Sequence, residues 1–331
     1  MMKAKEIRVG VIGVGFMGQD HLRRIAKVTD GAVVSAIYDI DQEKVTALAE
    51  LYGAKAMATA EELIRADEVD AVICAAWDGA HADIVNKCIA AGKPVFCEKP
   101  LATTKADCAE IVENEKAAGR KLVQVGFMRR YDKDYRKIKD ILDSGKLGAP
   151  LMAHCYSRTP SHPKNFLNSQ HVTQILIHEI DQFRWLFGEE IVKGQMLAAK
   201  HTQFAPDTIE DPYLCLMWTE SGVLIDVESS ANSYYGYEIG MEIVCEKGTI
   251  TLPIPAEPIV KSRLTCSTEV MDDWLMRFPE AYDVEMQNWV DGLLGKEVPA
   301  GPGSFDGLAA NAIADALVAS QANGLPVEVQ F

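Results

Sequence analysis

A chain of 331 residues, 48% hydrophobic and 24% charged, is long enough for two domains and has the balance of a globular protein. Its 33 basic and 48 acidic residues leave a net charge of −15, which argues against nucleic acid or an anionic membrane surface as partner. No stretch approaches the roughly 18 apolar residues of a membrane helix, and the apolar run Ile7–Ile12 is too short for a secretion signal, so a cytoplasmic protein is expected.

Strands and helices alternate through the first 125 or so residues. Val9-Gly10-Val11-Ile12 reads as a buried strand, followed by a helix with Leu22, Ile25 and Ala26 on one face. Val33–Tyr38 is a second strand; Asp41 caps the next helix, which carries Val45, Leu48, Ala49 and Tyr52 and stops at Gly53. Thr59-Ala60-Glu61-Glu62 has the form of a capping box. Asp70–Ala75, Pro94–Cys97 and Lys121–Val125 complete a set of apolar strands that a doubly wound parallel sheet would bury on both faces. The remainder has longer strands and two hairpin signals, Glu220-Ser221-Gly222 and Glu246-Lys247-Gly248, with amphipathic helices around 169–187, 280–295 and 306–323. The fold expected is α/β: a Rossmann domain over 1–126 and an α+β domain over 127–331 with a large, mostly antiparallel open sheet.

Gly13-Val14-Gly15-Phe16-Met17-Gly18 fits G-x-G-x-x-G between a strand and a helix. The first glycine permits the tight turn, the second close approach of backbone to a pyrophosphate, and the third close packing of helix on strand. Asp39 ends the second strand 21 residues beyond Gly18, where a carboxylate accepts both ribose hydroxyls, and no arginine follows to neutralise a 2′-phosphate. NAD is therefore the expected cofactor. Eight cysteines, at positions 74, 88, 97, 108, 155, 215, 245 and 266, form no Cys-x-x-Cys pair and no His/Cys set with zinc spacing; buried free thiols and no metal are expected.

Glu98-Lys99-Pro100 follows the strand Val95-Phe96-Cys97, at the strand end where doubly wound folds place ligands. On the segment 171–185, Val172, Ile175, Leu176, Ile180, Phe183 and Leu186 form an apolar face, beside a polar stripe of Gln174, His178, Asp181 and Trp185. A histidine there has an ordinary pKa of about 6.5, suited to taking a hydroxyl proton near neutral pH. Asp181 stands one turn along, where it can orient or polarise that histidine.

These motifs, with Val125–Asp132, Ile177–Asp181, Tyr235-Gly236-Tyr237 and Ala281–Glu285, resemble the glucose–fructose oxidoreductase/inositol dehydrogenase (Gfo/Idh/MocA) family over nearly the whole chain, and look most like its inositol 2-dehydrogenases. The resemblance implies NAD-dependent oxidation of a ring secondary alcohol to a ketone by a homo-oligomer, often a tetramer. It implies His178 as base, Lys99 as the group polarising the hydroxyl, and Arg129 and Tyr235 as substrate contacts. Ser157, Thr159, Gln174 and Asp181 are the further substrate-side candidates. Phe16, Met17, Trp77, His81, Glu98 and Lys99 join Gly13, Gly15, Gly18 and Asp39 on the cofactor side, with His81 toward the nicotinamide; His21 is expected to face solvent or the phosphate helix.

One departure stands out. Inositol dehydrogenases of this family usually carry Asp four residues before the histidine, and this chain has Gln174. The segment Cys155–Pro160 also lacks the His and Asn expected around Arg158. A neutral amide accepts no proton but can hold two hydrogen bonds to a polyol. A pyranose or glycoside dehydrogenase forming a 3-keto sugar, as a step in glycoside cleavage, is therefore the alternative, with a non-catalytic NAD- and sugar-binding sensor as a second.

Overall fold

The computed structural model describes residues 6–254 and 257–331, which divide into two units: residues up to Met128 with Tyr282–Asn311, and Arg129–Ala281 with Ala312–Phe331. Residues 1–5 lie outside the described residues. Among the described residues no helix is long and apolar enough to cross a membrane.

The first unit runs β1 (Ile7–Ile12), α1 (Phe16–Lys27), β2 (Ala32–Tyr38), α2 (Gln42–Tyr52), β3 (Lys55–Ala56), α3 (Ala60–Arg65), β4 (Ala71–Cys74), α4 (His81–Ala90), β5 (Val95–Glu98), α5 (Lys105–Ala117) and β6 (Val123–Gly126). Its six strands are parallel in the order β3-β2-β1-β4-β5-β6. The chain reverses its direction of winding between β1 and β4, the place where such sheets bind ligands. Local chemistry sets the helix starts: Asp41, Thr59 and Thr104 each accept a backbone N–H of the first turn, and Gly53 ends α2 at φ 64°. Glu62 reaches back to the N–H of Ala58, one residue before the Thr59 cap, so the box closes with a displaced partner. Leu22 and Ile25 are buried on α1 as expected, but Ala26 is exposed and the inward position beside them is taken by Arg24, which pairs with Asp20 and Asp283.

The second unit carries α6 (Lys133–Asp143), β7 (Pro150–Arg158), a π-helical turn (His171–Leu176) leading into α7 (Ile177–Phe187), β8 (Ile191–Ala198), β9 (Tyr213–Thr219), β10 (Leu224–Ser230), β11 (Glu238–Cys245), β12 (Gly248–Thr251), the ribbon β13 (Val260–Ser262) and β14 (Thr265–Ser267), and α8 (Trp274–Arg277). After α9 (Pro279–Leu293) and α10 (Ser304–Gln321), β15 (Val327–Glu328) closes the sheet. The order is β12-β11-β7-β10-β9-β8-β15, antiparallel throughout except for β7 and β10, which lie parallel with Ser157 opposite Ser229.

The expected boundary at 126 shifts to 128, and the segment Tyr282–Asn311, placed above in the second domain, groups with the first. The reason is apolar burial. Met286, Trp289 and Val290 of α9 share one core with Val9, Val11, Leu22, Ile37, Ile73 and Phe96, and the Trp289 ring meets Phe96 edge-on at 5.8 Å. Helical periodicity marks the buried face of such a segment without telling which sheet covers it.

Candidate active site

In the first unit the glycine loop has the geometry of a phosphate cradle. A Cβ on Gly18 would stand 1.9 Å from the Gly13 carbonyl oxygen, and one on Gly13, at φ +87°, would stand 2.4 Å from the Ala76 nitrogen. A Cβ on Gly15 would meet nothing within 4 Å, so the backbone there faces open space. The first turn of α1 has no side-chain cap and no acidic residue, so the positive end of the helix dipole favours an anion there. Asp39 is already oriented: its Oδ2 accepts the Val14 N–H at 2.6 Å and its Oδ1 the Asp41 N–H at 3.0 Å. Around the strand ends stand apolar side chains open to solvent, Phe16 (62% exposed), Ile40 (90%) and Trp77 (80%). A tight turn, an uncapped helix start, a fixed carboxylate and exposed apolar groups together fit a dinucleotide. Asp39→Ala is expected to weaken NAD binding by about tenfold or more, the worth of one or two hydrogen bonds to a charged group, with less loss for NADP; a titration with both dinucleotides checks it.

Lys99 follows β5 and is partly exposed, and its N–H donates to Glu98 Oε2 at 3.3 Å. The Lys99–Pro100 peptide is cis. Glu98 itself is buried, and His21 Nε2–H donates to its Oε1 at 2.7 Å. Burial raises the Glu98 carboxyl, but the hydrogen bond and charge of His21 outweigh it and hold it below the ordinary carboxylate range. Glu98 therefore fixes the turn that bears Lys99. His21 does not face solvent: it is fully buried, edge-on to Phe96, and ties α1 to β5. His81 is also interior, with its two ring nitrogens against the carbonyls of Pro100 and Ala76. Cys74, His81 and Cys97 converge, their ligand-type atoms all within 4.8 Å of one another, a cluster that spacing in the sequence does not reveal. Seven of the eight cysteines are buried, Cys266 is exposed, and all are free thiols.

In the second unit Gln174 lies in the π-helical turn and His178 in the first turn of α7, both partly buried. The sequence spacing assumes an α-helix throughout; the wider π turn changes the angle between these two side chains, and such turns recur at functional sites. The apolar face is as expected, with Val172, Ile175, Leu176, Ile180, Phe183 and Leu186 all buried. Asp181 is buried and receives two hydrogen bonds from Arg130, Nε at 2.9 Å and Nη2 at 2.6 Å.

Arg129, named above as a substrate contact by resemblance, lies in the interior. Its Nη1 donates to Glu179 and to Gln182 Oε1, anchoring α7. Glu179 is equally buried, so removal of its partner strands a carboxylate in the interior. Arg129→Ala is expected to cost about 3–5 kcal/mol of stability, read from denaturant unfolding.

Ser157 is likewise interior, on β7 between β10 and β11. Thr159 closes the end of that strand, its N–H and Oγ1–H donating to Ser230 O at 2.9 and 3.2 Å. Arg158 lies over the Tyr156 ring, binds Glu228 and Glu238, and donates to the Tyr235 hydroxyl at 3.3 Å; that hydroxyl donates to Glu238. Arg158 and the exposed Tyr235 thus form one polar cluster. His171, in the π turn, is buried against Ser229 and Tyr213, and burial lowers its pKa to about 4, so it is neutral at physiological pH.

Sequence reasoning misplaced His21 and missed the buried partners Glu179 and Arg130 and the thiol cluster. His21 had a signal: three residues after Gly18 and four before Ile25, it sits on the inner face of α1.

Residues 7–127 match the model of the oxidoreductase family with NAD-binding Rossmann fold (Gfo/Idh/MocA), and residues 135–251 its C-terminal domain. Inositol 2-dehydrogenase 3 of Saccharopolyspora erythraea is 44% identical over 98% of this chain and 95% of its own, and inositol 2-dehydrogenase of Ralstonia nicotianae 44% identical over 96% and 95%. The crystal structure of myo-inositol dehydrogenase from Lactobacillus casei, solved with NAD(H) and myo-inositol, is 35% identical, covers 98% of this chain and 97% of its own, and superposes with a TM-score of 0.95. With a glycine loop and carboxylate shaped for a dinucleotide and this likeness over its whole length, the chain belongs to the Gfo/Idh/MocA oxidoreductases and is an NAD-dependent enzyme acting on CH–OH groups.

Proposed function

We propose that the chain oxidises one ring secondary hydroxyl of a cyclic polyol to a ketone, as an inositol 2-dehydrogenase does. The observation that carries this reading is the likeness to a structure holding NAD(H) and myo-inositol, over 98% of the chain. NAD, when held by the Gly13–Gly18 loop and Asp39, would supply the acceptor for the hydride of the carbinol carbon. His178 takes the hydroxyl proton, and Lys99 donates a hydrogen bond to the oxygen as negative charge grows on it. Glu98 holds the Lys99 turn, and Arg129, Glu179 and Gln182 hold the helix that bears His178. Tyr235 and Arg158 supply exposed and half-buried polar groups for further hydroxyls. The working form is a homo-oligomer, a tetramer by the family resemblance, which light scattering tests.

Gln174 favours a second reading, a pyranose or glycoside oxidised to a 3-keto sugar. An amide donates and accepts one pattern of hydrogen bonds, and a site built to pair particular hydroxyls rejects others strongly. If position 174 selects the substrate, Gln174→Asp raises kcat/KM for myo-inositol by about tenfold, the worth of one well-made hydrogen bond to a charged group. No gain moves the selection to Arg158 and Tyr235.

A further inference from the structure

The ribbon of β13 and β14 takes no part in the reaction proposed above. Every residue from Glu257 to Val270 is exposed, among them the apolar Ile259, Val260, Leu264 and Val270. The ribbon is a sheet of two strands only, with Val260 opposite Ser267, Lys261 opposite Cys266 and Ser262 opposite Thr265. Two strands with neither face covered are marginal in water, and each outer edge offers unpaired N–H and C=O groups to a further strand. The tip adds a cost of its own. Arg263 and Leu264 lie at φ 48° and 66°, left-handed positions that Asn and Gly usually fill, and the Leu264 side chain stands fully in water. Bulky residues kept in that conformation at an exposed tip point to a contact that the tip makes.

The charges on the ribbon say what that contact is. Lys261 and Arg263 stand at or next to the tip, Glu257 and Glu269 at the base, all four exposed, and among the described residues none of them has an ion-pair partner. In a chain of net charge −15, a basic tip is a local exception. A basic tip above an acidic base is complementary to itself: a second copy related by a two-fold axis sets each tip against the other's base. Register selects the edge. Arg263 and Glu269 lie three residues before and three after Cys266, so β14 paired antiparallel with β14 of a second copy about Cys266 places each Arg263 opposite the other's Glu269. The same pairing of β13 about its middle residue would set two Lys261 side chains face to face, and like charges directly opposite are destabilising.

We propose that β14 joins edge to edge with β14 of a second copy of this chain about a two-fold axis at Cys266, as one contact of the homo-oligomer. The contact rests on the homo-oligomer proposed above and gives it a place on the molecule. The test is cross-linking of the full-length protein with a short bismaleimide, with light scattering on the same samples. The other seven cysteines are buried, so Cys266 is the thiol the reagent reaches. The expected result is a covalent dimer in the unsubstituted protein and none in Cys266→Ser. Arg263→Glu slows cross-linking by about tenfold, since two attractive pairs across the axis become two repulsive ones. Arg263→Glu combined with Glu269→Arg restores the rate, which a role confined to one ribbon would not produce. Both positions are exposed, so the exchange leaves the fold intact, and circular dichroism checks this. The contact is overturned by an oligomer whose Cys266 thiols do not cross-link, by an unchanged rate in Arg263→Glu, or by a charge exchange that restores nothing; each of these leaves the homo-oligomer standing. A protein that light scattering finds monomeric overturns both. None of these readings depends on turnover of a polyol.

Discussion

His178→Ala lowers kcat by about 10² or more while the Kd for NAD stays nearly unchanged, because a general base in the transition state is worth about 10²–10⁴ and His178 belongs to a unit without the glycine loop. Substitution to Asn keeps the shape and a hydrogen bond but cannot take a proton, so it is as slow as the alanine variant. Lys99→Met, which keeps the length of the side chain and removes its charge, falls by a similar factor. The double variant is then expected to be only slightly slower than either single one, since the proposed reaction has both groups act in one step. Steady-state kinetics with saturating NAD, paired with calorimetric NAD binding, separates these losses from misfolding. Full activity in His178→Ala removes the proposed base.

Gly18→Val is expected to abolish measurable NAD binding. Even the first carbon of the new side chain would stand 1.9 Å from the Gly13 carbonyl oxygen, a backbone atom, so the loop must move and the start of α1 moves with it. Gly13→Ala repeats the effect from the other side: its backbone is at φ +87°, and the new carbon would meet Ala75 and Ala76 backbone at 2.4–2.5 Å. A loss of at least about 10²-fold in NAD affinity is expected for each, because several phosphate contacts depend on one loop shape. Gly15→Ala is the informative control. Its new carbon meets no protein atom, so a loss of affinity there reports on the ligand and not on the fold.

The Rossmann half was legible because its signals are local. Glycines at fixed offsets, a carboxylate at the next strand end, and capping residues such as Asp41 and Thr59 act over a few residues, and the structure places them accordingly. Long-range pairings were not legible. Nothing near Arg129 in the chain points to Glu179, 50 residues later, with which it is buried and paired. The π turn has no signature in the sequence, since its residues are those of any amphipathic helix, and it alters the relation of Gln174 to His178. The assignment of α9 to the first core depended on Trp289 meeting Phe96, a contact that no periodicity encodes. The convergence of Cys74, His81 and Cys97 follows from strand register, which single-strand patterns leave undetermined.

The most direct test of the central claim is NADH formation by the full-length protein across inositol isomers, hexopyranoses and glycosides, each with NAD and with NADP. Turnover of at least one cyclic polyol with NAD, and much less with NADP, is the result the account predicts. Turnover confined to pyranoses or glycosides would give the substrate to the second reading, and tight NAD binding without turnover of any of these alcohols would contradict the proposed dehydrogenase.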